Sequence, residues 1–92
     1  MIHVTYGEDR VTVRGHAGFA PRGSDIVCAA ASALVYALVG ALEVKHCLRE
    51  LSMKPGQVSV AARGGCEAEL SVLRCGLGQL AGKYPQCVRI EN

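Results

Sequence analysis

The sequence predicts an α+β two-layer sandwich in the order ββαββα, a mostly antiparallel sheet with two helices on one face. Three observations lead there. Segments within 1–16 and 47–62 alternate apolar and polar side chains, the period of a half-buried strand. Segments opening near 26 and 66 carry apolar residues at helical spacing. Breaks rich in Gly, Pro or Ser at 17–24 and 63–65 precede the two helical segments.

Taken in order, "IHVTY" places Ile2, Val4 and Tyr6 on one face, and "GED" at 7–9 is a turn. "RVTVRG" sets Val11 and Val13 against Arg10, Thr12 and Arg14, which completes a β-hairpin over 1–16. "AGFAPRGS" at 17–24 is a loop, broken by Gly18, Pro21 and Gly23. Ser24 or Asp25 suits a helix N-cap, and the helix runs to about Val44. "HCLRELSM" alternates only in part and fits either a helix extension or a strand. The "KPGQ" turn at 54–57 and the strand-like "QVSVAA" favour a second hairpin over 47–62. After "RGG" at 63–65, apolar residues at 66, 70, 73, 77 and 80 predict the second helix. Gly76, Gly78 and Gly82 weaken that helix or let it pack closely. Pro85 ends it, and "CVRIE" suits a short final strand. The sheet face without helices must be polar or covered by a second subunit.

Ninety-two residues predict a single domain over 1–92. A core of Ala, Val and Leu, with only Tyr6, Phe19, Tyr36 and Tyr84 as aromatics, buries little area per residue. A partner subunit that buries further surface is therefore expected. Ten basic and eight acidic side chains leave a net charge of +2, too weak and scattered for direct nucleic-acid binding. The apolar run 26–42 is flanked by Asp25 and Glu43 and reads as a buried helix rather than a membrane span. The cysteines at 28, 47, 66, 75 and 87 are odd in number, and "MIHVTYGEDR" has no basic leader. Reduced thiols in a cytoplasmic protein are expected. No two cysteines lie close enough for a zinc finger, and His46-Cys47 is a poor chelate, so no metal or other cofactor is expected.

Chemistry concentrates in "GHAGFAPRGSDIVCAAASAL", residues 15–34. With a cap at Ser24 or Asp25, Cys28 falls at the start of the helix. There the partial positive charge and unpaired N–H groups favour a thiolate. Most free cysteines are small buried hydrophobes, and the placement is what distinguishes this one. His16, at the end of the second strand, is one loop away. A Cys–His pair is the smallest unit of cysteine nucleophilic catalysis. Strict alternation puts His16 on the face of Thr12 and Arg14, so a bulge or strand end at Gly15 is needed to redirect it. Asp25 has two roles open to it, capping the helix or orienting His16. Ser32 lies one helical turn after Cys28, where it can bond to the helix backbone, polarise the thiol or line a pocket. Cys47, Cys66, Cys75 and Cys87 have no such loop and histidine and read as core or surface thiols, and His3 and His46 carry no signal.

Gly15-His16-Ala17, Ala20, Gly23 and "DIVCAAASAL" from Asp25 to Leu34 resemble the signature of the ribosomal-processing cysteine proteases, the Prp family. The motif covers about 20 of 92 residues. The resemblance implies a homodimeric sandwich with Cys28 as nucleophile and His16 as general base and acid. It implies supporting roles for Asp25 and Ser32, a mobile loop given freedom by Gly15, Gly18 and Gly23, and an oxyanion hole of backbone N–H groups near Cys28. The implied substrate is the N-terminal extension of a large-subunit ribosomal protein, cut after an aromatic pair and before a small residue. Phe19 and Pro21 stand in the loop where they can contact such a substrate or stiffen the loop. The second half departs from the family in its many Gly and Cys residues and its terse second hairpin. A competing expectation is a non-catalytic dimeric module that binds a ribosomal protein or the ribosome, with Cys28 structural.

Overall fold

The computed structural model describes residues 1–91. The elements run β1 (Ile2–Gly7), β2 (Arg10–Arg14), α1 (Ile26–Val44), β3 (Leu48–Lys54), β4 (Gln57–Ala62), α2 (Glu67–Lys83) and β5 (Val88–Ile90). Both expected hairpins are present, and "HCLRELSM" resolves as a strand. Cys47 donates its N–H to the Leu42 carbonyl as the chain leaves α1, after His46 takes a φ of 56° that ends the helix. The "CVRIE" segment supplies a seventh element.

The five strands form one sheet in the order β3-β4-β2-β1-β5. Every neighbouring pair is antiparallel except β1 and β5, which are parallel. The two hairpins join through β2 and β4, with Val11 opposite Val60 and Val13 opposite Val58. This register aligns the apolar face of one hairpin with that of the other.

Ile2, Val4, Val11, Val60, Ala62 and Val88 form the floor of the core. Helix α1 buries Val27, Ala31, Val35, Leu38 and Leu42, a stripe at three- and four-residue spacing, and α2 buries Leu70, Leu73 and Leu77. Helix α1 has the length and hydropathy of a membrane span, yet this stripe packs on the sheet and on α2 as a core helix does. At Gly76 the helices approach so closely that a methyl group would stand 2.8 Å from Leu34 Cδ2. Gly78 and Gly82 have open space around them.

The sheet face away from the helices is polar. Thr12 Oγ1 and Ser59 Oγ are 3.1 Å apart, and Arg10 reaches both Ser59 (3.1 Å) and Glu50 (2.5 Å). Ala61 is fully buried on this face and pairs with Arg10 on one neighbouring strand and Glu50 on the other. Glu91 accepts from Arg14 at 2.6 Å and lies 3.0 Å from the His3 ring.

Candidate active site

Asp25 organises the start of α1. It is the N-cap, and its Oδ1 accepts the N–H groups of Val27 and Cys28, both at 3.0 Å. Its Oδ2 accepts the N–H groups of Phe19 (3.0 Å) and Ala20 (3.3 Å). One carboxylate thus ties the 17–24 loop to the first turn of the helix. These N–H groups, that of Cys28 foremost, hold the Asp25 carboxyl below its ordinary pKa. Of the two roles open to Asp25, capping is the one its hydrogen bonds describe.

Cys28 is the third residue of α1 and half-buried. The N–H of Ala17 donates to its Sγ at 3.1 Å. The N–H groups of Val27 and Cys28 are already engaged by Asp25, so Ala17 supplies the backbone donor that faces the sulfur. This donor comes from the residue after His16, a link that spacing alone does not announce.

His16 is exposed and lies on the helix side of the sheet, not on the face that alternation gives it. Strand β2 ends at Arg14, and Gly15 takes a φ of 90°, a left-handed conformation that swings the next side chain across. A side chain at Gly15 would collide with the Met1 carbonyl, so the close approach as well as the φ demands glycine. The Met1 amino group donates to the His16 carbonyl at 2.5 Å and fixes the backbone there. Gly18 (φ 69°) and Gly23 (φ 90°) take left-handed conformations along the loop.

A cleft of about 220 Å³ brings His16, Cys28 and Ser32 together. Val35 and Tyr36 of α1 continue its helical wall. The opposite wall is the tip of the second hairpin, Met53, Lys54, Gly56, Gln57 and Val58. Sequence reasoning did not place these residues, because the pairing of β2 with β4 that delivers them is non-local. Phe19 packs edge-on against Tyr84, with ring centroids 5.4 Å apart, so its ring is held by the end of α2.

The other thiols differ in setting. Cys47 and Cys66 are buried, and burial followed by contact with Cys47 pushes the Cys66 thiol up to about 11. Cys75 is exposed on α2, and Cys87 is half-buried before β5.

Residues 1–89 match the family model for cysteine protease Prp. The chain belongs to the Prp family of cysteine proteases. The ribosomal processing cysteine protease Prp of Mycoplasma pneumoniae is 32% identical over 99 residues, covering 100% of this chain and 95% of that protein. The Prp fold recurs in solved structures. Staphylococcus aureus Prp with a covalently linked product peptide superposes with a TM-score of 0.84 at 22% identity, covering 98% of this chain and 95% of that one. The SMU.848 protein of Streptococcus mutans superposes with a TM-score of 0.81 at 28% identity, covering 99% and 92%. The α+β fold and the cysteine-protease class read from the sequence both stand.

Proposed function

We propose that this protease removes the N-terminal extension of a large-subunit ribosomal protein with Cys28 as nucleophile and His16 as general base and acid. The observation that carries this reading is the shared cleft: a thiol in the first turn of α1 and an imidazole redirected by Gly15 line the same concavity. The substrate class rests on the names of the Mycoplasma pneumoniae relative and of the Staphylococcus aureus structures with bound peptide.

In the proposed reaction His16 takes the Cys28 proton, and the sulfur attacks the carbonyl carbon of the scissile peptide. The carbonyl oxygen takes up the negative charge of the tetrahedral intermediate. Backbone N–H groups near Cys28 would donate to that oxygen, while the Ala17 N–H, which donates to Sγ, favours the thiolate. His16 returns its proton to the leaving amine as the C–N bond breaks, leaving a thioester on Cys28. Water, deprotonated by His16, attacks the thioester, and the sulfur leaves with the proton restored. Asp25 supports this indirectly by holding Ala20 and Phe19 to the helix start. Ser32 lines the cleft beside the thiol. Movement of the loop over the substrate, as the resemblance implies, would use the left-handed Gly18 and Gly23, which have open space around them, as pivots.

We place the enzyme in the cytoplasm, consistent with five free thiols, and as a homodimer. The dimer is supported by the small size of the chain and by exposed apolar side chains outside the cleft, Ile26 on α1 and Val72 on α2.

Alkylation tests the dyad against a non-catalytic binding role. In the native protein Cys28 is expected to react with iodoacetamide faster than the more exposed Cys75, and His16→Ala is expected to slow Cys28 alone. Peptide mapping by mass spectrometry at a series of times reads both rates. If Cys75 leads and the histidine has no influence, Cys28 is a structural thiol.

A further inference from the structure

The tip of the second hairpin does more than wall the cleft. Its turn joins Lys54 to Gln57 through Pro55 and Gly56, with Gly56 at a φ of 74°. Proline followed by a left-handed glycine is the residue choice of a type II turn. The β2–β4 ladder ends at Arg14 opposite Gln57, yet the hydrogen bonding continues one step further. Gly15 N–H donates to the Gly56 carbonyl at 2.8 Å. Gly15 is the residue that redirects His16, so this bond fixes the pivot on which the imidazole turns. The side of Gly56 where a side chain would stand faces the ring: a Cβ there would lie 3.7 Å from His16 Nε2. The backbone of Gly56 anchors the histidine, and its missing side chain leaves space beside one ring nitrogen: a methyl there would only touch the ring, whereas a longer side chain would press on it.

We propose that Gly56 is a positioning residue for His16, holding the pivot through its carbonyl and keeping the Nε2 edge of the imidazole open. This deepens the dyad reading and rests on His16 being the general base. A hairpin turn that merely needs a left-handed residue is the competing explanation, and it predicts an effect on stability without an effect on chemistry.

The experiment uses the full chain as wild type, Gly56→Ala, Gly56→Asn and His16→Ala, with each Gly56 change also made in the His16→Ala background. Asparagine tolerates the left-handed conformation, so it keeps the turn while placing a Cβ beside the ring. Activity is measured on a peptide bearing the ribosomal-protein extension, at a temperature where circular dichroism shows the variants folded. A displaced base costs on the order of 10- to 100-fold in kcat for Gly56→Asn, whose longer side chain reaches past Cβ, and less for Gly56→Ala, whose methyl only touches the ring. KM is expected to stay within about threefold, since the loss is in the chemical step. The Cys28 alkylation rate is expected to fall with kcat in both variants and to be unchanged by either substitution once His16 is alanine. If Gly56→Asn cleaves and alkylates at the wild-type rate while His16→Ala is inactive, Gly56 serves only the turn and the inference is overturned. If Gly56 changes slow alkylation equally with and without His16, the effect does not pass through the histidine and the inference again fails. If His16→Ala cleaves at the wild-type rate, the dyad reading itself falls, and this inference falls with it.

Discussion

Asp25 shows how one side chain assembles this site. Its four backbone hydrogen bonds join residues 19 and 20 to residues 27 and 28, across the loop that separates the histidine from the cysteine. Removing them in Asp25→Ala is expected to lower both stability and cleavage rate at neutral pH. The direction of its pKa shift sets the pH dependence. The folded-state value lies below the unfolded reference of 3.8, so the contribution is complete above that reference. It is lost as the pH falls through the lower folded-state value. Urea midpoints of wild type and variant are therefore expected to differ at pH 7 and to converge in strong acid. At this scale the sequence was partly legible. A helix-start thiol and a nearby histidine follow from spacing and capping chemistry. The face of His16 does not, because alternation carries no information about a left-handed glycine at the strand end. The four N–H partners of Asp25 depend on the path of the loop, which local propensity does not determine.

The elements themselves were more legible than their partners. Periodicity locates both helices and both hairpins, since each buries one face against a single core. The parallel docking of β5 on β1 and the pairing of β2 with β4 are long-range choices, made by complementary apolar faces in three dimensions. Those choices deliver the far wall of the cleft, so it was invisible in the sequence. The glycines of α2 divide on the same ground. Gly76 meets Leu34, whereas Gly78 faces open space in a helical conformation. Gly78→Ala is expected to stabilise the protein by about 0.5–1 kcal/mol through helix propensity and reduced freedom of the unfolded chain. Gly76→Ala is expected to gain less or to lose stability, because its methyl must displace the Leu34 side chain. Urea denaturation of the two variants against wild type measures the difference.

Across the whole molecule, a two-layer sandwich brings His16 and Cys28, the proposed dyad, to the lining of the same cleft. The left-handed turn that follows β2 delivers the histidine and α1 delivers the cysteine, and the second hairpin supplies the remaining wall. The buried Cys47 and Cys66 belong to the core and the exposed Cys75 to the surface, leaving Cys28 alone among the five in contact with this cleft. Cleavage of a peptide carrying the N-terminal extension of the host's large-subunit ribosomal protein tests the central claim most directly. Wild type, Cys28→Ala and His16→Ala are compared by mass spectrometry under reducing conditions. The expected result is a single cut after the aromatic pair by wild type, absent with Cys28→Ala and with His16→Ala. A cut that survives Cys28→Ala, or an intact peptide that wild type binds without cleaving, would contradict the account.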